Sequence, residues 1–553
     1  MARSKAAGVL ALTLTACVGS IDGDDPGKGP GGGTDPADQF LPAAPTIHRL
    51  TAPQLHNTWL TLFGEPLALP TDLPKDDQLY GFSSIAAAGT TISSLDAEKY
   101  EAATYGVLDQ VWADAARRDA LVGCAPATVS DPCVRDFLET FAKRAWRRPI
   151  DPLEIEGVLS VGEAVSADLG GDVPAGIKYA TAAILQSPSF LFRIEVGEPD
   201  PEVVDAQGNP ALRYTSWEMA SRLSYLILDA PPDDVLLLAA ETGALTNPEQ
   251  VRIEAARLVD DPRARRALGR FFGDFMTIHK LDALDKSPDK FPQFSATLGP
   301  AMRVEIERMF ENIVFEEEAD FRQMFTTKET YINEELAKVY GIPGITGPDY
   351  QPYVFSDSDP RGGLLTTPGF LAVNSHKTQT SPTHRGRFVR LNLLCQDIPP
   401  PPPGVDTSLP EPAPGETKTL RERLQVHREK PECRACHEMM DPIGFAYEGF
   451  DAIGAFRTVD ENGLPVDVTT DLNGTPVAGP TEMGQLVAQL PEVGACIARR
   501  FYEHAGGHLA TPNEEMAVEA LVETFVATNY QFKELVVALV TNDGFRYATP
   551  VEQ

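Results

Sequence analysis

A capped, amphipathic helical period recurs along this chain and narrows what it can fold into. The stretch "TAPQLHNTWLTLFG" (51–64) shows it first. Thr51 is the predicted N-cap, Pro53 sits in the first turn, and Leu55, Trp59, Leu62 and Phe63 share one face at i, i+4, i+7, i+8. Gly64 follows as a stop. "DPLEIEGVL" (151–159) has the same grammar: Asp151 as cap, Pro152 at the first helical position, and Glu154 closing a capping box. "SWEMASRLSYLIL" (216–228), "PEQVRIEAARLVD" (248–260) and "AMRVEIERMFENIVF" (301–315) keep the 3.6-residue period. Strand patterns are sparse. The best lies at 456–478, where Asn462-Gly463 and Asn473-Gly474 read as hairpin turns. The expected class is mainly α, a multi-domain helical protein with a small β-hairpin.

The N-terminus sets the compartment. "MARSKAAGVLALTLTAC" has a positive start at Arg3 and Lys5, then an apolar stretch, Ala6 to Ala16, too short to span a bilayer. Small residues lead to Cys17. The pattern resembles a bacterial lipoprotein signal, which implies cleavage before Cys17 and acylation of that residue. An ordinary secretory signal is the competing reading. The expectation is an exported lipoprotein held at the outer membrane or cell envelope, facing the periplasm or the surface, and touching membrane through its lipid only. The formal charge of −33, from 80 acidic and 47 basic residues, argues against a nucleic-acid partner. "RAWRRP" (144–149) with Lys143 is a basic cluster in this acidic background, and internal ion pairing is its expected use.

Two stretches punctuate the chain. Gly, Pro and Asp dominate 19–39, which reads as a flexible tether; 397–418 holds five consecutive prolines and reads as a semi-rigid connector. The predicted organisation is a signal peptide (1–16), lipidated Cys17 with its tether (17–46), helical domains at 47–115, 116–205 and 206–350, a motif region (351–396), the connector (397–418) and a helical domain at 419–553.

An exported chain can keep disulfides. Of seven cysteines, Cys17 goes to lipid, and Cys433 and Cys436 belong to a motif of their own. Cys124 and Cys133 bracket a short Pro-containing loop and are expected to bond; Cys395 and Cys496 are left to pair across the connector.

That motif is "CRACHEMMDPIGF" (433–445). A C-x-x-C-H run is the attachment signature of c-type haem: two thiols add to the vinyl groups, and the next residue, His437, becomes the proximal iron ligand. Pro442 is expected to break the helix, so that a backbone carbonyl in the Asp441–Gly444 loop holds the other ring nitrogen of His437. Ile443, Phe445, Phe450 and Phe456 are candidate walls or ordinary core. Met440 and Met483 are the tentative further iron ligands; Met516, His504, His508 and a five-coordinate iron are the other options. Two alternatives stay open. Cys433, Cys436, His437 and Met440 make a soft set for copper, or with His427 a zinc site. A Cys433–Cys436 disulfide in a non-redox surface or scaffold protein is the other. "HKTQTSPTHRG" (376–386) places His376 and His384 in one loop without diagnostic spacing.

As a whole the chain resembles large exported proteins of planctomycetes and myxobacteria that carry a run of domains of unknown function and end in a cytochrome c-like region. The stretches that carry the resemblance include "FAKRAWRRPIDPLE", "LQSPSFLFRIE", "RGGLLTTPGFLAVNS", "SPTHRGRFVRLNLLCQDIPPPPP" and "CRACHEMMDPIGFAYEGFDAIGAFR". The resemblance implies a C-terminal cytochrome c-like helical region, that the C-x-x-C-H and MDPIGF stretches belong together, and that Cys395 is a regular part of its motif. It leaves the partner an unnamed redox or exported protein. If the chain is an enzyme, the haem reading of the C-x-x-C-H run makes it a haem-dependent oxidoreductase. "YEHAGGHLA" (502–510) departs from the Tyr-Ala-Leu-Gly-Arg that such proteins usually carry.

Overall fold

The predicted capping grammar is what the chain forms. In the computed structural model, which describes residues 42–204, 209–399, 418–429 and 431–550, the first helix runs Ala52–Phe63. Thr51 and Gln54 close a reciprocal capping box, and Leu55, Trp59, Leu62 and Phe63 are all buried. The helix Pro152–Asp168 begins with the Asp151–Glu154 box. The predicted 301–315 helix is Leu298–Glu311 continued by one π turn, Asn312–Glu316. The signal peptide, Cys17 and its tether to residue 41, residues 400–417 of the connector, and the His427 side chain lie outside the described residues.

Helices dominate, with small antiparallel sheets between them. The Asn473-Gly474 hairpin is present: Thr470–Leu472 pairs with Thr475–Val477, and both turn residues have positive φ, 53° and 82°. At Asn462-Gly463 the chain turns with an isolated bridge, Val459 to Pro465, rather than a ladder. Three further sheets carry no sequence signal. Ile47–Arg49 pairs with Phe192–Ile194, Pro210–Arg213 lies between Glu198–Val204 and Tyr547–Ala548, and Glu329–Ile332 pairs with Gln351–Val354. Ile47–Arg49 and Tyr547–Ala548 are too short to show alternation, and distant partners define them.

The described residues form one compact unit with two main cores. The smaller gathers residues between Leu50 and Leu191 and takes in Tyr225; the larger draws on 214–548 and takes in Phe82 and Ile85. Each core therefore borrows side chains from the other's stretch of chain. Arg222 joins them, donating to Glu195 at 2.5 Å with both side chains buried.

The basic cluster is used internally, as its setting suggested. Arg147 is buried and donates to the carbonyls of Ala145, Ser189 and Phe192. Arg148 forks onto Glu154 at 2.8 and 2.9 Å, Lys143 reaches Glu241, and Arg144 meets Asp234.

A candidate cofactor-attachment helix

The C-x-x-C-H motif sits on the helix Pro431–Phe445. Pro442 lies inside that helix, which corrects the expected break. Proline removes one N–H and strains the turn before it. Here it falls in the last turn, and close packing against the helix Pro382–Phe388 holds the backbone in place. Gly386 meets the Met440 carbonyl so closely that a Cβ would fall 1.8 Å from its oxygen, and a Cβ on Gly444 would fall 1.9 Å from the Pro382 oxygen. The two backbones touch because neither glycine carries a side chain. Thr470 Oγ1 adds a bond to the Pro442 carbonyl at 2.7 Å.

A continuous helix changes the partner of His437. The expected backbone carbonyl is replaced by the carboxylate of Asp441, one turn on, with Nδ1 at 3.0 and 3.1 Å from its oxygens. The carbonyls of this segment belong to a helix, while position i+4 lies directly against residue 437. Asp441 is fully buried, and Thr383 Oγ1 donates to it at 2.8 Å. With Nδ1–H donated to Asp441, the lone pair sits on Nε2, the arrangement that orients ligand imidazoles.

Both predicted disulfides are formed, Cys124–Cys133 and Cys395–Cys496. Cys433 and Cys436 are not bonded to each other, so the disulfide alternative is not what this helix forms. Cys433 is buried and Cys436 half-buried; the two thiols occupy different surroundings on one helical turn. Met440 is buried beside His437 on the same helix. Met483 is buried on a separate helix, Pro480–Gln489, in the large core. Met516 is exposed.

The two remaining histidine candidates are engaged elsewhere. His504 Nδ1 meets Ser84 Oγ at 3.0 Å among Phe82, Phe271 and Phe501, and burial pushes its pKa down to about 3. His508 Nε2 pairs with Glu514 at 3.0 Å. Of the candidate walls, Ile443, Phe445 and Phe450 are buried and Phe456 is exposed. His376 and His384 do meet, ring centroids 4.8 Å apart. Among the described residues no three His, Cys, Asp or Glu side chains converge as a metal-holding group.

Sequence reasoning missed what fastens this helix. Arg385 is fully buried and donates to Glu448 Oε1 at 3.2 Å and to the carbonyls of Tyr447 and Asp451. Glu448 also accepts from Thr380 at 2.8 Å and from Arg457 at 3.1 Å. Thr380 and Arg385 lie in the 376–386 stretch that showed no diagnostic spacing, and from Pro382 it is helix rather than the expected loop. Its pairing with "YEGFD" is a through-space fact with no signature in a single sequence.

The donor chemistry fits a thioether-linked haem: two unbonded thiols three residues apart, followed by an imidazole whose tautomer is held by a buried carboxylate. Family models match five successive segments, each described as a protein of unknown function: DUF1587 at 48–113, DUF1595 at 133–195, DUF1592 at 214–342, DUF1588 at 361–460 and DUF1585 at 473–545. No curated protein and no solved structure matches the chain. The chain is a mainly helical, multi-domain protein built from segments similar to these five families of unknown function, with Cys433, Cys436 and His437 inside the segment similar to the DUF1588 family, PSCyt3.

Proposed function

We propose that this protein is an exported, lipid-anchored lipoprotein that carries one c-type haem on Cys433 and Cys436 and serves in electron transfer or redox chemistry with an exported partner. One observation carries the reading: the only two unbonded cysteines among the described residues form a C-x-x-C-H run whose histidine is oriented by buried Asp441. The cytochrome element in the name of the 361–460 family model supports the same reading. The cofactor supplies one-electron chemistry when bound. The chain's own residues do the rest. Cys433 and Cys436 offer thiols on one helical turn, His437 would bind through its imidazole, and Asp441 holds Nδ1 and so orients the ring. Thr383 and the close crossing at Gly386 and Gly444 fix where Asp441 stands.

The test is the colour of the mature protein made with haem-attachment machinery. A pyridine haemochrome band that survives acid–acetone extraction is expected. A colourless, folded protein overturns the reading and favours a non-redox scaffold; a colourless protein that holds copper or zinc points to the metal alternative. The anchor rests on the sequence alone and has its own test. Cys17→Ser is expected to move the protein from the membrane pellet to the soluble fraction, and a variant that still pellets after a salt wash removes the lipid from the proposal.

A further inference from the structure

Helix Leu420–Arg428 packs beside the attachment helix, with Leu420 and Leu424 against Phe445. From it projects Arg423, 9 % exposed. Its Nη2 donates to Gln379 Oε1 at the long distance of 3.5 Å. Its Nε and Nη1 are buried and have no hydrogen-bond partner. Three more deeply buried arginines differ. Arg222 sits on Glu195, Arg385 on Glu448, and Arg147 is surrounded by carbonyls. A guanidinium keeps its proton in a protein, so burial cannot neutralise it, and an uncompensated buried charge is costly. The chain has 80 acidic residues, and among the described ones none is paired with Arg423.

We propose that Arg423 is the counter-ion for a carboxylate that arrives with the ligand of the neighbouring helix, a propionate of the haem bonded to Cys433 and Cys436. This rests on the haem reading above. Two unpartnered N–H donors, Nε and Nη1, suit a carboxylate acceptor, and such a bond is charge-assisted. The amide of Gln379, already beside Nη2, lies within the same surroundings. Arg423 positions and neutralises; it forms no bond to iron.

The full chain is compared as parent, Arg423→Met and Arg423→Lys, each made with and without haem-attachment machinery. Haemochrome content is read first, because it reports on attachment alone. With haem, Arg423→Met is expected to lower the midpoint potential and make it depend on pH near neutrality: losing the cation favours the oxidised iron and lets the propionate take up a proton. Arg423→Lys is expected to keep the midpoint near the parent's. Without haem the sign of the stability change reverses: Arg423→Met is expected to melt above the parent, since an orphan charge has gone, and below it once haem is attached. Midpoints and melting temperatures indifferent to both substitutions overturn the proposal and leave the haem reading standing. If the parent attaches no haem, inorganic phosphate is the second probe. Phosphate that raises the melting temperature of the parent but not of Arg423→Met assigns the residue to a free anion and overturns the propionate; no response to phosphate overturns any anion role.

Discussion

Replacing Arg385 with methionine is expected to destabilise the protein by about 3–5 kcal/mol, the usual cost of breaking a buried ion pair by removing one partner. Arg385 is fully buried, and burial lowers its pKa to about 10, so the charge is held only by what surrounds it. It donates to Glu448, to the carbonyls of Tyr447 and Asp451, and to Ser375 Oγ. Methionine fills part of the volume but takes away the guanidinium donors and leaves Glu448 Oε1 without its partner. Arg457 still reaches Glu448 at 3.1 Å, which keeps that carboxylate partly compensated. Adding Glu448→Gln is therefore expected to recover some of the loss, and the double variant should cost less than the sum of the singles. Urea unfolding followed by circular dichroism reads all three. An Arg385→Met midpoint equal to the parent's would show that the network is not what secures the attachment helix.

Loss of the Cys395–Cys496 bond is expected to be as severe. The bond closes a loop of 101 residues. In the chain-entropy model a loop of that size contributes about 4.7 kcal/mol by restricting the unfolded chain. The Cys124–Cys133 bond spans 9 residues, and the same model gives it roughly 2–3 kcal/mol. Paired alanine replacements at each bond are thus expected to differ, with Cys395→Ala/Cys496→Ala the more damaging. The enclosed loop contains the Pro-rich connector and the whole attachment helix, so this bond also limits how far that helix can stray from Pro491–Gly506. Equal losses from the two bonds would refute the loop-length account, and free alkylatable thiols at Cys395 and Cys496 in the parent would refute the bond itself.

The elements that the sequence alone determined share one property: their causes are local. Thr51 with Gln54, and Asp151 with Glu154, cap helices because cap and partner are three residues apart. Asn473-Gly474 turns a hairpin because its own backbone favours positive φ. The C-x-x-C-H run is legible for the same reason, and the two disulfides follow from counting cysteines. Where tertiary contact competes with a local rule, the local rule loses. Pro442 marks a helix end in sequence, yet the helix continues to Phe445, because the packing of Gly386 and Gly444 against the neighbouring backbone holds that turn. That continuation swapped the partner of His437 from a carbonyl to Asp441. The short strands at 47–49, 192–194 and 547–548 pair with segments that sequence adjacency cannot indicate. The Arg385–Glu448 pair is 63 residues apart, and the orphaned Arg423 is recognisable only once every acceptor around it has been placed. The sequence determined the local caps, turns and cysteine pairs; only the tertiary structure decided the partners of the buried charged side chains, because burial and through-space distance are properties of the packed chain.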